Sequence, residues 1–274
     1  MSLRLAVSGA TGRMGHTILG LADLDKNFEI VGALENASSN LQGKSLSEVV
    51  PGISAQVKAV VSSTLSQVAT KPQVLIDFTQ PVATMVYLKE ALSLGIGMVV
   101  GTTGLSDAQK AEIREAGKKI PIVMSTNMSI GMNLLFALVE EAAAKLGQVY
   151  DVEIIEAHHH FKKDAPSGSA LSLGESVARA WKVNLKDVAT HGREGIVGER
   201  KAGTIGFHAV RGGDIVGDHT VLYAGPGERL ELKHVAHSRE SFAQGALKAA
   251  LFLANKKDGF YDMHDVLGLR PSTK

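Results

Sequence analysis

The chain has 274 residues, 45% of them hydrophobic, enough for one large or two modest domains with substantial cores. Lysine and arginine total 29 against 28 aspartates and glutamates, a net charge of +1 without long runs of one sign, so neither nucleic acid nor an anionic membrane is an expected partner. With no cysteine, disulfides, iron–sulfur ligation, thiolate zinc and a cysteine nucleophile are excluded, and a cytoplasmic location is expected.

The amino terminus, MSLRLAVSGATGRMG, runs from a short apolar strand into a glycine-rich turn; a signal peptide is not expected, nor a bilayer-spanning stretch. Short apolar runs at Leu3 to Gly9, Glu29 to Glu35, Val74 to Thr79, Gly97 to Thr103 and Pro121 to Thr126 predict buried strands. Helices are predicted between them at Gly12 to Leu24, Pro81 to Leu94 and Ser106 to Lys119, the last opened by a Ser106/Gln109 capping box. Such alternation calls for a parallel sheet covered on both faces.

After Asn127 the pattern changes to a helix at Gly131 to Leu146, the run DVEIIEAHHH, a Gly-Ser turn and a helix at Ala170 to Trp181. From Gly203 onward TIGFHAV, HTVLYA and ERLELKHVA are β-rich and joined by glycine turns, as in an antiparallel sheet. A last amphipathic helix, Ser241 to Asn255, is expected to pack back on the first domain. The expected fold is α/β. A Rossmann-like parallel-sheet domain (1–127 with 239–274) joins an α+β substrate-binding and oligomerisation domain (128–238) with a mostly antiparallel open sheet. The open edges of that sheet need covering, which predicts a homo-oligomer.

Gly9, Gly12 and Gly15 in GATGRMG lie between the first strand and the first helix, where parallel sheets bind ligands. Glycine lets the backbone turn tightly and approach a pyrophosphate, whose charge meets N–H groups and the positive helix end. Glu35, at the end of the second strand, is placed to accept hydrogen bonds from an adenine ribose. Its charge disfavours a 2′-phosphate while nearby Arg13 opposes that effect, so NADH and NADPH both remain open. Gly101, Thr102 and Thr103, with Ser125, Thr126 and Asn127, fall at the same sheet edge and offer hydroxyls and N–H groups to a nicotinamide; ordinary turn and cap roles are the alternative.

EAHHHFKKDAPSGSA gathers three imidazoles, two ammoniums and a helix-opening Gly-Ser turn. A dicarboxylate needs cations and backbone N–H groups; Ser167, Gly168 and Ser169 supply the latter at a helix start, and Lys162 or Lys163 a charge. A histidine titrating near neutrality can pass a proton. If the strand continues, His158 and His160 share a face and His159 takes the other. A zinc site using His158, His160 and Glu156 or Asp164 is an alternative that the lysines oppose, and a solvated polar strand is a second; no metal is expected.

EAHHHFKKDAPSGSA together with GATGRMG, DFTQP, GTTG and TIGFHAVRGGDIVGDHT closely resembles the dihydrodipicolinate (4-hydroxy-tetrahydrodipicolinate) reductase family over essentially the whole chain. The resemblance implies reduction of a cyclic imine dicarboxylate to tetrahydrodipicolinate in lysine and diaminopimelate biosynthesis, using NADH or NADPH, by a homotetramer. It implies His158 as the acid/base group and Lys162 as the second catalytic donor, with substrate contacts at His159, Gly168, Ser169 and Arg239. Implied cofactor contacts are Gly9, Ala10, Thr11, Gly12, Arg13, Met14 and Gly15, then Glu35, Gly101, Thr102 and Thr103, and Ser125, Thr126, Asn127 and Met128. Three positions depart from the family pattern. Asn36 stands where Arg often follows the ribose acid, Gln80 where some relatives carry Arg, and Ser169 replaces a frequent Thr while keeping the hydroxyl.

Overall fold

A computed structural model describes residues 2–270. The chain divides into two compact units, one formed by the segment up to Ile130 with the segment from Arg239 onward, the other by Gly131–Ser238.

The first unit begins β1 (Leu3–Ser8), α1 (Arg13–Leu24), β2 (Phe28–Leu34), α2 (Leu46–Val49), β3 (Val61–Ser62), β4 (Val74–Asp77), α3 (Pro81–Leu94), β5 (Gly97–Val100), α4 (Asp107–Ala116) and β6 (Pro121–Met124). The second contributes α5 (Ile130–Leu146), β7 (Asp151–His158), α6 (Gly168–Trp181), α7 (Leu185–Val188), β8 (Ala189–His191), β9 (Ile205–Arg211), β10 (Gly217–Gly225) and β11 (Glu228–Ala236). The chain then returns with α8 (Glu240–Leu253), β12 (Gly259–Tyr261) and α9 (Met263–Leu267).

In the first unit seven strands pair in the order β12-β6-β5-β4-β1-β2-β3, all parallel. Every residue of β4 and β5 is buried, as expected of strands covered on both faces. The strand order reverses between β1 and β4, which makes a ligand crevice at their carboxyl ends. On one face α8 packs against α1, β4, β5 and β6, placing Ala243, Ala246, Ala250 and Leu253 in a shared core with Leu5, Val7, Ile18 and Leu19. The Ser106 capping box forms, Gln109 N donating to Ser106 Oγ at 3.2 Å and Ser106 N to Gln109 Oε1 at 2.9 Å.

The second unit holds a five-stranded sheet, β11-β10-β7-β9-β8. It is mixed: β11, β10 and β7 pair antiparallel, but β7-β9 and β9-β8 pair parallel. A helix lies in the connection between β7 and β9, and such crossovers return a strand parallel to the one they left. Alternation along β7 buries Val152, Ile154, Glu156 and His158 on one face. There Val152 and Ile154 join a core with Leu173 and Val177 of α6, each such buried side chain contributing roughly 1.5–3 kcal/mol. The strand stops at His158 and does not continue through His160. His159 N donates to Ile215 O at 2.8 Å and Lys162 N to His159 O at 3.2 Å, so His159 and His160 lie in a turn and the expected alternation of faces ends.

An ion cluster fastens the segment between β8 and β9 to β7. Glu153 accepts from Arg193 Nη2 and Arg200 Nε, both at 2.8 Å, and His208 Nε2 lies 2.6 Å from its second oxygen. Arg200 also reaches Asp151 at 2.7 Å and Val152 O at 3.0 Å. Burial alone would raise the Glu153 pKa, but the hydrogen bonds from Arg193, His208 and Arg200 prevail and hold it at about 2.

Candidate active site

At the carboxyl end of β1 the chain turns through Gly9, with φ of +64°, into α1. A Cβ on Gly15 would stand 2.1 Å from Gly9 O and 2.7 Å from Ala10 O, so glycine lets this helix approach the turn. Gly12 caps α1 without a side-chain hydrogen bond, no acid stands in the first helical turn, and Arg13 opens it. An uncapped helix start beside a cation suits a pyrophosphate, and the residues present therefore fit a dinucleotide. Glu35 accepts from Thr11 N at 2.8 Å and Thr11 Oγ1 at 2.7 Å through the same oxygen, which ties this acid to the turn.

A cleft of about 920 Å³ is lined by Gly9, Thr11, Gly12, Arg13, Met14, Gly15, Glu35 and Asn36. Ala10 is fully buried and donates to Leu34 O at 3.2 Å, so it builds the turn instead of lining the cleft. A second cleft, of about 300 Å³, brings Met14 together with Gly101, Thr102, Thr103, Ser125, Thr126, Asn127, Met128 and Arg239. Arg239 thus stands with the Gly101 to Thr103 and Ser125 to Met128 loops of the first unit. Thr79, which lines both clefts, and Thr102 of the second are held by Asp77, wholly buried, which accepts from Ser8 Oγ and Thr79 Oγ1 at 2.6 Å each and from Thr102 Oγ1 at 3.2 Å. Its signal in the sequence is an acid at the end of the apolar run VLID.

In the second unit the end of β7 delivers His158, with Nδ1 2.6 Å from Glu156 Oε2. Burial lowers the His158 pKa, and the Glu156 carboxylate only partly opposes this; the charges of Lys162 and Arg211 push the same way as burial. Lys162 Nζ pairs with Asp164 at 2.9 Å, and the lysine side chain is 21% exposed, accessible to a ligand. His159 Nδ1 is buried with no hydrogen-bond partner among the described residues. Phe161 packs on His160 with ring centroids 3.9 Å apart.

Ser167 caps α6, its Oγ accepting from Ala170 N at 3.1 Å, while its own N–H donates to Glu156 at 3.0 Å. The expected donor role of Ser167 is therefore filled internally, and Gly168 and Ser169 stand at the open helix start, where a Cβ on Gly168 would meet nothing within 4 Å. Sequence reasoning did not single out Arg211 or His219. Arg211 holds both oxygens of Glu156 at 2.7 and 2.8 Å, and His219 Nε2 lies 3.0 Å from Ser167 Oγ. Among the described residues no group of three His, Asp or Glu side chains is arranged to hold a metal ion.

A dinucleotide turn at the switch point of a parallel sheet, in a chain whose second unit presents imidazole and ammonium beside a helix start, defines a two-domain oxidoreductase of the Rossmann class. Comparison with known proteins narrows the class. Residues 3–128 match the family described as dihydrodipicolinate reductase, N-terminus, and 131–267 that described as dihydrodipicolinate reductase, C-terminus. The chain belongs to the dihydrodipicolinate reductase family. It is 48% identical over 269 residues to 4-hydroxy-tetrahydrodipicolinate reductase of Burkholderia thailandensis, covering 98% of this chain and 99% of that one. Among solved structures it is similar to the dipicolinate-bound dihydrodipicolinate reductase of Paenisporosarcina sp. TG-14, with TM-score 0.76 and 25% identity over 97% of this chain and 99% of that one. Aspartate semialdehyde dehydrogenase II of Vibrio cholerae shares the fold alone, with TM-score 0.56 and 10% identity over 93% of this chain and 99% of that one.

Proposed function

We propose that His158 and Lys162 carry the proton chemistry of a reductase acting on a cyclic imine dicarboxylate. The reaction is reduction of 4-hydroxy-tetrahydrodipicolinate to tetrahydrodipicolinate in lysine and diaminopimelate biosynthesis, with NADH or NADPH as reductant. Loss of water from the hydroxylated ring gives a conjugated C=C–C=N system, and uptake of one hydride and one proton completes the product. When bound, the reduced nicotinamide supplies the hydride. The turn from Gly9 to Gly15 and Glu35 hold its adenosine and pyrophosphate half. Gly101 to Thr103 and Ser125 to Met128 hold its nicotinamide half.

The observation that carries this reading is the grouping of His158, Lys162 and the start of α6 in one unit. One carboxylate of the ring is met by Gly168, Ser169 and the positive helix end, and the Lys162 ammonium and His159 offer further donors. His158 exchanges the proton, and Lys162 stabilises charge on the ring nitrogen or its carboxylate. In the first unit Arg239 offers a cation to an anionic ligand at the second cleft.

No described helix is long and apolar enough to cross a membrane. The protein works in the cytoplasm as a homotetramer. This is supported by the absence of cysteine and by apolar side chains left open on the five-stranded sheet: Ile155, Leu230 and Val235 are each about 40% exposed. The test is to couple the protein to the synthase that makes the cyclic substrate and follow nicotinamide absorbance. Oxidation of the nucleotide only when the cyclic compound is present supports the reading. Oxidation with an aldehyde instead, or none at all, overturns it.

A further inference from the structure

Glu156 is 1% exposed, yet all of its acceptor capacity is used. Oε2 takes His158 Nδ1 at 2.6 Å and Arg211 Nη1 at 2.7 Å; Oε1 takes Ser167 N at 3.0 Å and Arg211 Nη2 at 2.8 Å. Strand alternation puts Glu156 and His158 on one face two residues apart, and the β7-β9 register sets Arg211 directly opposite His158. Arg211 also donates to Asp164 O at 2.7 Å, and Asp164 holds Lys162. Guanidinium and carboxylate meet in the bidentate geometry that fixes orientation as well as charge.

We propose that Glu156, braced by Arg211, is the positioning residue that joins the acid/base group to the anion-binding turn. One carboxylate fixes the His158 ring through Nδ1 and the start of α6 through the Ser167 N–H. Resting on the function proposed above, it follows that Nδ1 of His158 carries its proton toward Glu156 and that Nε2 is the nitrogen presented for proton exchange. The far side of the ring agrees. Gly217, on β10, lies so close that a Cβ there would come within 3.1 Å of His158 Nε2, and glycine keeps that nitrogen uncrowded. His219 packs edge-on against His158 at 5.1 Å between centroids. Burial, and repulsion from His158, push its pKa down to about 3, so it props the ring without adding charge.

The groups that set the charge state of His158 are thus Glu156 on its own strand, Lys162 in the following turn, Arg211 on β9 and neutral His219 on β10. Of these Glu156 alone favours the imidazolium. Removing its charge therefore lowers the pKa of His158 further.

The test uses the full-length protein and its Glu156→Gln variant. The variant is expected to lose on the order of 100-fold in kcat and to show a raised KM for the cyclic substrate. Nucleotide affinity should stay unchanged, since the nucleotide turn belongs to the other unit. The limb of the pH profile that reports His158 should move about one pH unit toward acid. A merely structural role would lower the active fraction and leave that limb in place. Wild-type turnover with a variant within about threefold of it, and an unmoved limb, overturns the proposal, whereas an inactive wild type overturns the function instead. If the variant fails to fold, the ring ¹⁵N spectrum of wild-type His158, assigned by its loss in His158→Asn, decides: a protonated Nδ1 with bare Nε2 supports the proposal and the opposite tautomer overturns it.

Discussion

Replacing Glu153 by Gln removes the acid that gathers Arg193, Arg200 and His208 on the central strand of the second sheet. The native surroundings lower its pKa from 4.5 to about 2, and at about 1.4 kcal/mol per pH unit this corresponds to no more than about 3.5 kcal/mol. Solvent screening at this partly open position brings that to about 2 kcal/mol. Because the folded pKa is depressed, the stabilisation is complete above the unfolded value of 4.5 and disappears as the pH falls toward 2. Urea unfolding followed by circular dichroism at several pH values should show Glu153→Gln less stable by about 2 kcal/mol near neutrality, with the gap closing below pH 4.5. A gap that keeps its size in acid would refute the reasoning, because it would then come from packing and not from charge.

Lys162→Ala should reduce kcat by on the order of 100-fold or more while nucleotide affinity, measured by fluorescence titration, stays intact; retained turnover would remove Lys162 from the mechanism. Gly15→Ala pushes a methyl group into the backbone at Gly9 and Ala10, and should weaken nucleotide binding at least about tenfold in calorimetry. Unchanged binding there would mean that the turn is not the pyrophosphate site. Steady-state kinetics should show NADH used at least as well as NADPH, since Glu35 is held at the turn by Thr11 and Asn36 follows it. A strong NADPH preference would contradict that and point to Arg13.

The long elements were legible because each carries its own periodicity: Pro81–Leu94 begins on its proline and ends before Gly95, and the Ser106 capping box announces α4. The glycine turn between β1 and α1 was legible because its glycines, strand and helix are contiguous in the chain. What escaped is short or non-local. Strands β3, β8 and β12 have only two or three residues each, too few for any alternation to register. The turn after His158 depends on hydrogen bonds to Gly213 and Ile215, which lie on a distant part of the chain. Glu156 read as a possible ligand because its actual partner, Arg211, sits in a glycine-flanked stretch that meets it only through the β7-β9 register. Residue types announced the chemistry of the site; its wiring required the sheet.

The interrupted first unit has a consequence for biosynthesis of the polypeptide. Its core mixes Leu5, Val7 and Ile18 with Ala246, Ala250 and Leu253, residues made before and after the whole of the intervening unit. The glycine turn after β1 emerges before the second unit, but the helix α8 that packs beside it leaves the ribosome only after that unit. The intervening unit is contiguous and can close its own core first. A nascent chain halted ahead of Arg239 would therefore expose greasy surface at a half-built Rossmann layer while holding a finished His158 constellation, a state in which chaperone capture competes with completion.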